Sequence, residues 1–141
     1  MRTGVIGSHF YVPAPSDVDD LLAYIVSLKP EVNPNLPQFA ELAKRGKVLF
    51  EGKAKCSCCH PAPLFTDRKM HDVGTGGPRE PNGLFDTPSL IEAYRTAPYY
   101  HDGRALTIKD ALTKHGKDRH GHTKTLTPQE IDDLVHYVLS L

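Results

Sequence analysis

The sequence has 141 residues, enough for one compact domain and too few for two once connecting segments are subtracted. Lysine plus arginine number 17 and aspartate plus glutamate 17, and the resulting net charge of zero excludes a bulk electrostatic pull toward nucleic acid or a membrane surface, leaving partner choice to local patches. With 12 prolines, 11 glycines and no tryptophan, the composition predicts irregular chain wrapped around a large flat group rather than a self-sufficient layered core.

In chain order, the first fifteen residues lack the apolar stretch of a secretory leader, so an export signal is expected to have been removed or to lie further upstream. No apolar run reaches the roughly 18–20 residues of a membrane span. Pro15–Leu28 reads as an amphipathic helix, with Pro at its start and acids in its first turn. Residues 29–37, with Pro30, Pro34 and Pro37, form a linker. Phe39, Leu42, Ala43, Gly46, Leu49 and Phe50 then share one face of a second helix. Pro61–Thr87 is rich in Pro, Gly, Asp and Asn, has no sustained period, and reads as loop. Short helices are expected around Pro88–Tyr94 and from Thr107 to about His115. Pro128–Leu141 closes the chain as a helix that repeats Pro15–Leu28, seven of the fourteen positions being identical. Amphipathic helices recur by chance. If the repeat is not chance, residues 1–30 are the last helix of a preceding domain, 31–37 the linker and 38–141 the domain proper.

The chemistry is concentrated between the second helix and the long loop. Cys56, Cys59 and His60 fit the C-x-x-C-H pattern of c-type haem attachment. Two thioether bonds need thiols about one helical turn apart, and a histidine directly after the second is held beneath the iron as an axial ligand. A zinc ribbon would need a second Cys/His pair at short spacing and a redox dithiol would need a βαβ context, and the sequence has neither. Cys58 cannot pair with either attachment cysteine without abolishing the haem, and reads as a free or capped thiol.

Gly46 and Phe50 before the motif, with Leu134 and Tyr137 in the closing helix, resemble the cytochrome c fold, mainly α with long loops around one covalent haem. More specifically, Leu64-Phe65-Thr66-Asp67, His71-Asp72-Val73-Gly74, Thr87-Pro88-Ser89-Leu90 and Thr96-Ala97-Pro98-Tyr99-Tyr100-His101-Asp102-Gly103 resemble the C-terminal domain of bacterial di-haem cytochrome c peroxidases and methylamine-dehydrogenase maturation enzymes. The resemblance covers about residues 38–141. It implies that the first and last helices cross, small residue against aromatic. It also implies that this domain carries the electron-transferring haem, while peroxide reacts at a second haem elsewhere.

Counting from His101-Asp102-Gly103, the family's distal ligand falls on His115, which implies bis-histidine coordination with His60. His120 is the alternative, and Met70 a further one. His71 and His101 match motif histidines and are read as haem-binding positions, each equally readable as a loop residue hydrogen-bonding backbone or propionate. Arg68, Arg79, Arg95 and Arg104 flank the motifs, and Arg104, after His-Asp-Gly, is the first choice for pairing a haem propionate. Thr96 and Pro98 correspond to carbonyl positions of a calcium site whose other half this chain lacks.

The expectation is a periplasmic or otherwise exported single-haem c-type cytochrome that exchanges electrons with a redox partner protein or another haem domain. It is not expected to bind nucleic acid. The alternatives are the electron-delivery half of a multi-haem peroxidase or oxidase, a five-coordinate ligand-binding haem, and a haem used as a structural staple in a larger assembly.

Overall fold

A computed structural model describes residues 3–5, 8–10, 14–29, 31–36, 38–115 and 119–141. The chain divides into two compact units, Met1–Val32 and Asn33–Leu141. The linker residues Pro30 and Pro37 lie outside the described residues.

In the first unit, β1 (Thr3–Val5) pairs antiparallel with β2 (Ser8–Phe10), strands too short for the sequence to have announced. Helix α1 (Pro15–Ser27) follows, opened by Pro15 and by the Asp17 carboxylate accepting from the Ala14 amide at 2.9 Å. It buries none of its side chains.

The second unit is organised by the crossing of α2 (Ala40–Glu51) and α4 (Pro128–Leu139). A side chain at Gly46 would bring a Cβ within 2.0 Å of the Asp133 carbonyl oxygen and 2.7 Å of the Tyr137 Cβ, so glycine is what lets the two backbones meet. Phe50 and Tyr137 pack edge to face beside the crossing, ring centres 5.1 Å apart, and Leu134 is fully buried against them. Each such large apolar side chain contributes about 1.5–3 kcal/mol. Asp133, although charged, is buried in the same seam, its two oxygens taking paired bonds of 2.8 Å from Arg45. Such a pair is retained because both partners are satisfied.

The ends of α4 are closed by side chains. Thr127 accepts from the Glu130 amide at 3.2 Å while Glu130 accepts from the Thr127 amide at 2.7 Å, a reciprocal cap that quiets two otherwise unpaired donors. At the other end the buried Asn33 donates to the Leu139 carbonyl at 2.9 Å.

Between the two helices the expected loop from Pro61 to Thr87 contains a hairpin, β3 (Met70–Asp72) paired antiparallel with β4 (Leu84–Asp86). Three-residue strands are too short to display a period of two, which is why the sequence reads there as loop. The helix expected around Pro88–Tyr94 is a single 3-10 turn at Ala93–Arg95. α3 (Ile108–Asp110) forms where the second short helix was expected, capped by the Thr107 hydroxyl, and continues as a π turn over Ala111–His115.

Candidate haem-attachment site

The attachment motif sits at the end of α2. The chain leaves the helix at Gly52, passes the fully buried Ala54 and the left-handed Lys55, and winds a 3-10 turn over Cys56–Cys58. The His60 amide donates to the Cys56 carbonyl at 2.9 Å, so one helical turn separates the first cysteine from the histidine. No disulfide joins the three cysteines; Cys58 is exposed, and Cys56 and Cys59 are half-buried. Burial pushes the Cys56 thiol up to about 12, which keeps it protonated.

His60 is buried, and its Nδ1 lies 2.9 Å from the Phe65 carbonyl. A carbonyl can only accept, so Nδ1 carries the proton and the lone pair is on Nε2. Burial and the neighbouring His71 lower the pKa of His60, against hydrogen bonds that raise it, so the ring is neutral, the form that ligates metal.

Opposite His60 stands His120, ring centres 6.4 Å apart. Three contacts hold the segment that carries it. The His122 amide donates to the Ala54 carbonyl at 2.9 Å, the Thr123 hydroxyl donates to the Leu112 carbonyl at 2.8 Å, and the Tyr100 hydroxyl meets His120 Nδ1 at 2.9 Å. Gly121, at φ 74°, lies so close to the cysteine loop that an added Cβ would be 3.3 Å from the Ala54 carbonyl oxygen and 3.8 Å from Cys56 Sγ. Burial, and then the nearby His60, depress the pKa of His120. The ring also borders a cavity of about 440 Å³ whose other walls include Leu112, Thr123, Leu126 and Ile131. Cys56, Cys59 and His60 lie off that cavity.

His115, the first choice from motif counting, lies at the end of the π turn with its ring 6.3 Å from that of Tyr100. Met70 is exposed on β3. His71 Nε2 sits 2.8 Å from Asp67, whose amide donates to the Cys59 carbonyl at 2.9 Å, so His71 stands beside the second attachment cysteine. Cys59, Asp67 and His71 each offer a ligand atom within 4.8 Å of the others, an arrangement that a thioether on Cys59 would take away from a metal ion. Burial opposes the charge on Asp67, but bonds from His71 and the Lys69 amide hold its carboxyl down to about 2. His101 stacks on Phe85, ring centres 4.0 Å apart, with Glu80 3.9 Å from its Nε2. Arg104 is committed to Asp102, the Arg104 side chain holding that carboxyl down to about 2. Arg95 pairs with Glu92. Thr96 and Pro98 are exposed, Thr96 donating to the Ala93 carbonyl.

The donor set fits a covalent haem. Two unpaired thiols and a neutral histidine stand at the required spacing, and a second neutral histidine faces the first. Their ring centres, 6.4 Å apart, leave room for a single metal ion held by a nitrogen of each imidazole at the usual bond length of about 2.0 Å. The Thr75 hydroxyl, fully buried and without a partner, is also the sort of polar atom that a bound group satisfies. The contributions of Tyr100, Gly121 and Thr75 are absent from the sequence reading. The run His120-Gly121-His122 could have signalled Gly121, because a glycine between two histidines marks a close backbone approach.

The chain is similar to known proteins over most of its length. The chain is 32% identical to hydrazine synthase subunit gamma of Kuenenia stuttgartiensis, over 91% of this chain and 50% of that one. It is 34% identical to the methylamine utilization protein MauG of Methylorubrum extorquens, over 64% of this chain and 30% of that one. A solved structure of Kuenenia stuttgartiensis hydrazine synthase superposes with a TM-score of 0.78 at 30% identity, covering 95% of this chain and 57% of the other. The chain thus spans half or less of the length of these two relatives. Residues 43–141 match the cytochrome c family, from within α2 to the end of α4, and the chain belongs to that family, whose cofactor is covalent haem c.

Proposed function

We propose that this chain is a single-haem electron-transfer domain. In this reading Cys56 and Cys59 would hold the haem by thioether bonds, and His60 and His120 would ligate its iron. The haem supplies a one-electron redox couple; the polypeptide fixes its position, its ligation and its exposed edge. The observation that carries the reading is the pair of neutral histidines 6.4 Å apart, each with Nδ1 engaged and Nε2 left for metal. Two strong nitrogen ligands favour a six-coordinate iron that changes oxidation state without binding substrate, and they set a lower potential than a Met/His pair. The exposed Cys58 beside the attachment cysteines supports electron exchange through the edge of the haem near that loop. Family membership supports an extracytoplasmic location, and among the described residues no helix is long and apolar enough to cross a membrane. Calcium has no support beyond the resemblance at Thr96 and Pro98.

The test is an absorption and low-temperature EPR spectrum of the ferric protein and of its His120→Ala and His115→Ala variants. The wild type and His115→Ala should be low-spin, and His120→Ala high-spin. A low-spin His120→Ala protein, or a high-spin wild type, overturns the assignment, and the high-spin wild type would favour the five-coordinate, ligand-binding reading.

A second reading, the electron-delivery half of a larger multi-haem enzyme, rests on the repeat. The residues of α4 buried in the crossing, Ile131, Leu134, Tyr137 and Val138, correspond to Val18, Leu21, Tyr24 and Ile25 of α1, all of them exposed. A helix with that face is suited to close another fold of the same kind, which supports residues 1–30 as the end of a preceding domain.

A further inference from the structure

We propose that Tyr100 is the positioning residue of the sixth iron ligand, fixing both the tautomer and the orientation of His120. This rests on the reading that His120 binds the iron. A tyrosine hydroxyl has one proton to give. Tyr100 places its oxygen 2.6 Å from the Ala111 carbonyl and 2.9 Å from His120 Nδ1. The carbonyl can only accept, so the phenol proton goes to Ala111, and the bond to His120 must run the other way, from Nδ1–H to the phenol oxygen. His120 is thereby held as the tautomer whose lone pair is on Nε2, the atom left for the metal. A ligating histidine whose second nitrogen donates to a fixed acceptor is oriented by that bond.

The phenol is itself firmly placed. Tyr100 sits at φ 69°, a left-handed conformation that a bulky side chain adopts only where its surroundings insist. Its neighbours supply the insistence: the Tyr99 amide donates to the Ala105 carbonyl at 2.7 Å, and the Gly103 amide donates to the Tyr100 carbonyl at 3.2 Å. The far end of the bridge is fixed as well, because Ala111 is buried and opens the π turn. Tyr100 therefore ties His120 to the π turn at Ala111–His115, and its ring stands edge-on to that of His120, centres 5.5 Å apart. A phenol is also a weaker acceptor than a carboxylate, so His120 would meet a metal as an imidazole rather than an imidazolate.

The test is cyanide binding to the ferric holoprotein, together with its EPR spectrum, in Tyr100→Phe and Tyr99→Phe. Tyr99 is the control, because its hydroxyl is engaged elsewhere, donating to the Ala93 carbonyl at 2.7 Å. Loss of one such bond corresponds to roughly a tenfold change in equilibrium. Tyr100→Phe should therefore bind cyanide about tenfold more tightly than the wild type, with shifted low-spin g-values, while Tyr99→Phe matches the wild type in both. Equal behaviour of the two variants, or a Tyr100→Phe protein indistinguishable from wild type, overturns the proposal. If His120→Ala turns high-spin while Tyr100→Phe changes nothing, only this inference fails; if His120→Ala stays low-spin, the ligand assignment fails first. Should Tyr100→Phe not accumulate in folded form, 15N-histidine NMR of the ferrous wild type decides. A slowly exchanging His120 Nδ1–H with an Overhauser contact to the Tyr100 ring supports the bond, and a rapidly exchanging one excludes it.

Discussion

Replacing Gly46 by alanine tests whether the crossing of α2 and α4 is the mechanical centre of the domain. The added methyl carbon would lie 2.0 Å from the Asp133 carbonyl oxygen, 2.7 Å from its carbonyl carbon and 2.7 Å from the Tyr137 Cβ. Two of those three atoms are backbone, so no rotamer change relieves the contact, and ordinary packing requires the helices to move apart by more than 1 Å, on the order of the deficit from a normal carbon–oxygen contact. Overpacking of this kind costs about 1–3 kcal/mol, and a rigid obstacle puts it at the upper end. Alanine recovers about 1 kcal/mol through its better helix propensity, leaving a net loss of about 2 kcal/mol. For a unit of this size each kcal/mol moves the melting temperature by about 4–8 °C, so Gly46→Ala should melt roughly 8–16 °C lower, followed by circular dichroism of the ferric holoprotein. Lys47→Ala, at an exposed position of the same helix, should stay within about 0.5 kcal/mol of wild type. A Gly46→Ala protein that melts at or above the wild-type temperature would refute the packing argument.

Two further outcomes follow from the same geometry. Asp133, held below the usual carboxylate range first by its bond from Arg45, contributes stability that is present above about pH 4 and lost as the pH falls through its depressed folded-state value. The stability gap between wild type and Asp133→Asn in urea titrations should therefore be constant from about pH 5 upward and shrink below about pH 4; a gap that persists unchanged in acid excludes the ion pair as its source. Single Cys56→Ala or Cys59→Ala variants should retain haem on the chain in a denaturing gel, the double variant should release it, and Cys58→Ala should behave as wild type. Release of haem from the Cys58 variant would reassign the attachment.

The sequence made α1, α2 and α4 legible because each carries a proline, acid or apolar stripe at helical spacing, and α4 adds the full Thr127–Glu130 cap. The Cys56-x-x-Cys59-His60 spacing was legible because haem chemistry constrains neighbours in the chain. Sequence alone did not choose between His120 and His115 as the histidine set 6.4 Å from His60. The choice depends on how many residues the π turn at Ala111–His115 consumes and on where the following segment is pinned to Ala54, and both are tertiary facts. Asp133 reads in sequence as part of a polar helix face, yet it is buried because Arg45 on another helix meets it. The hairpin Met70–Asp72 with Leu84–Asp86 was hidden by its own brevity.

Arg45 and Asp133 are 88 positions apart, and the attachment cysteines lie between them in the chain. The seam that shapes the haem site thus cannot close until the carboxyl-terminal helix has been made. Until then the turn that carries Cys56 and Cys59 hangs from α2 alone, and its final setting waits on the closure of a loop of nearly ninety residues, a slow and entropically costly step.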